Sequence, residues 1–354
     1  MEADNKLFDV WQQFDFDMDP INAESEKGKF LKNKDYNPEF DYQKEGKLNQ
    51  FKKDLLNIHP DDSLIGKLIK ERRDIMLKKI EMLLTRKAEN LTANSIELFG
   101  KPDKKLVSFA LEEIKLPDDL EIKNLSDNDV RKIISRALSE NKLSNWNVQI
   151  KEDMSATAKV NTAERIVYIK RGEKFSTAGV ERLIVHELQS HAFRMENSIR
   201  QKYKIFQVGF PNYLETEEGL AAFNEEMVGY LLHNRIRRIY AGRVIAVNLA
   251  LEKSFSEVFA ELSNHFPEED AWTLTVRAKR GLIDTSEQGG FTKDYLYLNG
   301  KLKIKAFLKK NKDEGLLSIY AGRISINHVK LLNHLSDEIV RPLFLPKYNS
   351  ENSQ

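Results

Sequence analysis

The chain contains no cysteine. That excludes disulfides, iron–sulfur clusters, thiolate zinc sites and cysteine nucleophiles, so any metal must be held by histidine and carboxylates. Net charge is nearly absent as well: Lys+Arg 56 against Asp+Glu 55 gives no global pull toward nucleic acid or membrane. No apolar run is long enough to span a bilayer. The opening MEADNKLFDVWQQFDFDMD is acidic where a secretory signal is basic and then apolar. These absences predict a cytoplasmic protein with no nucleic-acid or membrane partner. What is present is 354 residues, enough to bury a sizeable core in one large domain or two moderate ones.

Residues 1–60 are polar and interrupted by Pro20, Pro38 and Pro60, which predicts a partly extended arm. Over 61–91, Leu64, Ile65, Leu68, Ile69, Met76, Ile80 and Leu83 recur near helical spacing, with Asp61 or Asp62 as the cap. Further helices are expected over 104–115 and 126–142, the latter opened by Ser126 with Asp127 and Asp129 in its first turn. The period shortens to two within 146–170, through Val148, Ile150 and the run Ile166 to Ile169. It shortens again over 272–308, in WTLTVRAKR, DYLYLNG and KLKIKAFL, and both regions are expected to be strands. Residues 177–200 and 216–239 read as helices between them. The expected fold is helix-rich α+β with a small mixed or antiparallel sheet. Its expected parts are an N-terminal arm and helical region over 1–110, a catalytic domain over 111–346 and a flexible tail over 347–354.

The segment ERLIVHELQSHAFR puts His186, Glu187 and His191 on one helix, behind the apolar Leu183, Ile184 and Val185. Two neutral imidazoles can hold a metal ion while a carboxylate beside the first takes a proton from bound water. The spacing, however, is HExxxH. Residues five apart in a regular helix differ by about 140° around its axis, too far to share an ion. Metal binding therefore needs a local widening, and a single-turn π-bulge supplies it. Spacing alone leaves ordinary surface or core histidines equally open. About thirty residues on, NYLETEEGLAAFNEE offers Glu217 and Glu218 at an expected helix start, where carboxylates are electrostatically at home. Gly219, Ala221 and Ala222 are small enough for helices to pack closely around an ion, and Glu225 is placed to orient a ligand imidazole. An ordinary acidic first turn is the alternative for that segment taken alone; the two segments together favour a metal site.

HELQSHAFR followed by TEEGLA, then RAKRG and GGFTKDYLYLNG, resembles the family of the microtubule-associated tyrosine carboxypeptidase. Its bacterial members carry a QEGLA motif and are often labelled flavohemoglobin expression-modulating proteins. The resemblance runs from YNPEFDY near Asn37 to LPKY near Pro346. It implies a zincin-like metallopeptidase fold, one zinc ion per chain held by His186, His191 and Glu218, and Glu187 as general base. It also implies release of a C-terminal residue from a peptide or protein tail. The departure is Glu217, where the bacterial motif usually has glutamine, so Glu217 competes with Glu218 as third ligand.

Peptide hydrolysis also needs a donor for the developing oxyanion, for which Tyr295 and Tyr297 in DYLYL or Arg277 are candidates. A terminal carboxylate suits the fork of an arginine, and Arg277, Arg280 and Lys293 are the candidates there. Packing tyrosines and ordinary salt bridges are the alternative for these five. Arg194 reads as a structural partner of a nearby carboxylate. The strand 165–170 is either interior or an edge that an extended peptide can join, and its charged flanks favour an edge. Two other functions stay open: a metal-dependent amidohydrolase acting on small amides, and a zinc-binding regulatory protein without turnover. An intact Glu187 speaks against the second, because a structural zinc site needs no base.

Overall fold

The computed structural model describes residues 1–43, 46–119, 122–152, 154, 156–229 and 234–347, the side chains of 333, 336 and 337 excepted. The fold is helix-rich α+β, with one two-stranded and one three-stranded sheet among many helices. Among the described residues no helix is long and apolar enough to cross a membrane. The chain divides into two compact units, each assembled from separated stretches. One holds Met1, Asp119–His233 and Gly300–Gln354; the other holds Glu2–Asp118 and Asn234–Asn299. The expected tail 347–354 lies, apart from Lys347, outside the described residues.

In the unit built from Glu2–Asp118 and Asn234–Asn299, the first 60 residues are not an extended arm. They form the helices Glu2–Gln13, Ala23–Lys32 and Leu48–Leu56, with the prolines falling between them. The scattered aromatics are anchors: the buried Phe30 ring meets Phe255 and Phe259 edge-on, with centroids 5.4 and 4.7 Å away. The expected long helix runs over Leu64–Thr85, and its cap is Ser63, whose Oγ accepts from the Gly66 amide at 3.0 Å. It stops at Arg86, which turns left-handed at φ 43, and Ala88–Phe99 follows as a second helix.

The expected strands after Trp272 are helices. WTLTVRAKR lies in the helix Glu268–Lys279, where Ala271, Trp272, Leu274, Thr275, Val276, Ala278 and Lys279 are all buried. A helix covered on most sides loses its 3.6-residue apolar period, and its sequence can alternate by chance. Its start signal was Pro267 ahead of Glu268, Glu269 and Asp270. DYLYL passes from the 3₁₀ turn Thr292–Tyr295 into the helix Leu296–Tyr320.

The other unit opens with Ser126 and Asp129 bonded reciprocally at the start of the helix Asp127–Glu140. Its three-stranded sheet is mixed: Ile166–Lys170 pairs in parallel with Asn147–Lys151 and antiparallel with Ala158–Asn161. Ile166–Lys170 is therefore the central strand, not an edge, and has no free ladder for a peptide to join. Its charged flanks misled because they sit at the strand's ends, where Arg165 reaches Glu196 at 3.1 Å. The helix Tyr213–Met227 crosses the part of Leu296–Tyr320 beyond Gly300 almost backbone to backbone. A Cβ on Gly219 would stand 2.2 Å from the Gly300 carbonyl carbon. KLKIKAFL alternates because lysines flank this seam on both sides: Lys303 pairs with Glu215 at 2.8 Å, and Lys301 and Lys305 pair with Glu226 at 3.0 and 2.5 Å.

Candidate metal centre

The histidines lie on a helix of three parts in one run. Ser176 caps Thr177–Leu183 through its Oγ and the Gly179 amide, Ile184–Ala192 is a π-helix, and Phe193–Ile199 returns to α geometry. The widened stretch absorbs the extra residue of HExxxH, as the spacing required. Ser190 Oγ bonds back to the Val185 carbonyl five residues earlier at 3.1 Å. Asn224 donates to Ser190 Oγ at 2.7 Å and to the Tyr320 hydroxyl at 2.7 Å, and that hydroxyl donates to the Gln189 carbonyl at 2.8 Å. The π segment is thus braced from two other helices.

Both rings face the same point. The His186 and His191 ring centroids are 5.1 Å apart, and each Nε2 stands 3.9 Å from Glu218 Oε2. One donor atom from each of the three residues lies within 4.8 Å of the others, and all three residues are buried. Tetrahedral zinc with bonds of about 2.1 Å needs donors about 3.4 Å apart. Two imidazoles and one carboxylate at these separations fit zinc after a small closure, and the set leaves a fourth position for water or substrate.

The second nitrogen of each ring is held by a further carboxylate. His186 Nδ1 lies 2.7 Å from Glu225 Oε1, and His191 Nδ1 lies 2.9 Å from Glu217 Oε1. An ionised carboxylate only accepts, so each Nδ1 carries the proton and each Nε2 lone pair points to the Glu218 side. Arg182 Nη1 adds a bond to Glu225 Oε1 at 3.3 Å. Glu217 is engaged twice, by His191 and by the fully buried Arg194, whose Nε and Nη2 also donate to the carbonyls of Ile319, Gly322 and Ile324. Burial opposes the Glu217 charge, but the Arg194 guanidinium and the His191 bond hold its carboxyl down to about 2. For His191 burial also works against charge. The Glu217 hydrogen bond and the charges of Glu217, Glu187 and Glu218 outweigh it, so the ring binds a proton more readily than a free imidazole. Glu187 itself is buried within the π segment.

Sequence reasoning placed the histidines, Glu187, Glu218 and the orienting Glu225 in this unit, and read Arg194 as a carboxylate's partner. It misplaced the helix start. The helix begins at Tyr213, so the two glutamates sit in its second turn and owe their position to packing rather than to the helix dipole. The small face of Gly219 meets Gly300 and not the histidine helix. Arg182 was missed, although it lies four residues before His186, where a helical neighbour belongs.

The other five candidates belong to the second unit. The Tyr295 hydroxyl donates to the Phe99 carbonyl at 2.6 Å. Tyr297 stacks on Tyr240 with centroids 5.7 Å apart. Arg277 and Arg280 both bind Asp294, and Arg280 also binds Asp19 at 2.8 Å. Lys293 is partly buried in the turn Thr292–Tyr295.

The sequence profile of the microtubule-associated tyrosine carboxypeptidase family matches residues 28–354. Microtubule-associated tyrosine carboxypeptidase 1 of Mus musculus is 32% identical over 132 residues, covering 35% of this chain and 27% of that protein. The Rattus norvegicus protein of that name is 31% identical over 160 residues, 43% of this chain and 33% of its own. The Homo sapiens protein is 30% identical over 132 residues, 35% and 27%. The matched stretch therefore spans about a third or less of these relatives' own length. A solved structure from Colwellia psychrerythraea aligns over 82% of this chain and 66% of its own with a TM-score of 0.49 and 11% identity, a likeness that says nothing of activity. Matched over nearly all its length, the chain belongs to the microtubule-associated tyrosine carboxypeptidase family.

Proposed function

We propose that this protein is a cytoplasmic zinc carboxypeptidase that removes the C-terminal residue of a peptide or protein tail. The observation that carries the reading is the buried convergence of His186, His191 and Glu218, with Glu187 next to the first histidine. Zinc held there would supply a Lewis acid that makes water nucleophilic at neutral pH and polarises the scissile carbonyl. Glu187 takes the proton of the attacking water and returns it to the leaving amine. Glu225 and Glu217 keep both imidazoles in the Nδ1–H tautomer, so that neither ring must turn during the cycle. Arg194 holds Glu217 in that role. Family membership supports a carboxypeptidase over other hydrolases. Tyr295, Tyr297, Arg277, Arg280 and Lys293 are proposed, from sequence, as donors to oxyanion or terminal carboxylate.

The test is metal content of the purified protein beside His186→Ala and Glu187→Gln, with C-terminal trimming of peptides followed by mass spectrometry. One zinc per chain, lost from the first variant and kept by the second while trimming stops in both, is the expected result. Protein that takes up no zinc when it is resupplied would end the metallopeptidase reading. Zinc without trimming would point to a small-amide hydrolase or a regulatory site instead.

A further inference from the structure

The helix Asn234–Ala250 carries an arginine that no sequence pattern singled out, Arg243. Its guanidinium lies 4.2 Å from the Tyr297 ring centroid and 5.2 Å from that of Tyr240. Those rings are themselves stacked, 17° from parallel. The side chain as a whole is partly exposed, yet its Nε and Nη1 are shielded from solvent and meet no acceptor among the described residues. The carboxylates of this unit that lie nearby are already engaged. Asp294, whose charge Arg243 also influences, binds Arg277 through one oxygen and Arg280 through the other, and Asp19 binds Arg280. Three guanidiniums thus share two carboxylates. A cation–π contact recovers only part of the cost of drying a guanidinium without an anion.

We propose that Arg243 anchors an anion subsite within this unit that takes a carboxylate, with Tyr240 and Tyr297 as its aromatic floor. The excess is one positive charge, which matches a carboxylate, and the planar guanidinium matches the planar carboxylate in shape as well as charge. The carboxylate is the free terminus of a peptide or a small organic acid. The site needs no metal, so it can be tested apart from the hydrolase reading.

The probe pair is acetyl-Ala-Tyr and its C-terminal amide, titrated by calorimetry into chelator-treated full-length protein. The acid should bind and the amide should bind at least about tenfold more weakly, as expected when a hydrogen bond to a charged group is lost. Arg243→Gln should lose the same factor, while Arg136→Gln, a change at an exposed arginine, should lose none. Propionate titrated alone separates the sources: binding as tight as the peptide acid assigns the subsite to small acids, and weaker binding assigns it to a peptide terminus. Equal binding of acid and amide, no binding of either, or an Arg243→Gln protein that binds like the parent overturns the proposal. If Arg243→Gln fails to fold, the acid–amide comparison on the parent protein still decides.

Discussion

Glu217 and Glu218 are neighbours of the same chemistry and both are buried, yet they do different work. Glu218 faces the two Nε2 atoms, whereas Glu217 is taken by Arg194 and His191 Nδ1. Glu218→Gln should abolish metal retention, read by metal analysis. Glu217→Gln should instead leave Arg194 buried without its anion and cost about 3–5 kcal/mol in a urea unfolding series. Equal effects of the two on metal retention would overturn this division. Glu225→Gln should weaken metal binding by about 10–100-fold in a chelator competition with the fold intact. Asp294 tests electrostatics elsewhere. Burial opposes its charge, but Arg277 and Arg280 hold its carboxyl well below the usual carboxylate range. With the folded pKa depressed, its contribution is complete above the unfolded value of about 4 and is lost as pH falls below that. Asp294→Asn should therefore reduce stability at neutral pH by about 3–5 kcal/mol and flatten the acid limb of the stability profile. A limb of unchanged slope would remove Asp294 from it. The pair TEEGLA was legible as a ligand source, but spacing could not choose between its glutamates. Arg194 and the carbonyls of Ile319, Gly322 and Ile324 make that choice, and they come from distant sequence.

At the scale of the element, the π-helix Ile184–Ala192 was readable, because five-residue spacing admits no other way to bring two rings together. Deleting Gln189 should relax the segment to a regular helix and turn everything after it by about 100°. Arg194 would then leave its carbonyl acceptors, and the variant should lose both metal and thermal stability; a deletion that unfolds at the parental temperature would show the π segment to be dispensable. Gly219→Ala should force the Gly219–Gly300 crossing apart and cost about 3 kcal/mol, seen as a lower unfolding midpoint. The strands expected after Trp272 failed for a definite reason. Period two in Glu268–Lys279 comes from burial on most sides, and in KLKIKAFL from lysines that serve Glu215 and Glu226 across a helix seam. Neither cause is visible until the partner helices are in place.

The whole molecule is two units, and the candidate centre belongs to the one built from Asp119–His233 and Gly300–Gln354. A metal that binds only the folded form at about 100 times its Kd adds about 2.7 kcal/mol of stability. Chelation should therefore lower the unfolding temperature by a few degrees and speed amide exchange in Ile184–Ala192 and Tyr213–Met227. Exchange in Leu64–Thr85, in the other unit, should stay as it was. Equal acceleration in both units would contradict a site confined to one. By itself the sequence determined the available chemistry: no thiols, two histidines whose spacing demands a widened helix, a base beside the first, and a glutamate pair downstream. Those are local facts, and local spacing carries them. Tertiary structure decided which glutamate faces the rings, which strand is central, and which arginines are already spent. Each of those depends on a partner far along the chain, as Arg194 depends on a carbonyl 125 residues away, and no local pattern encodes such a contact.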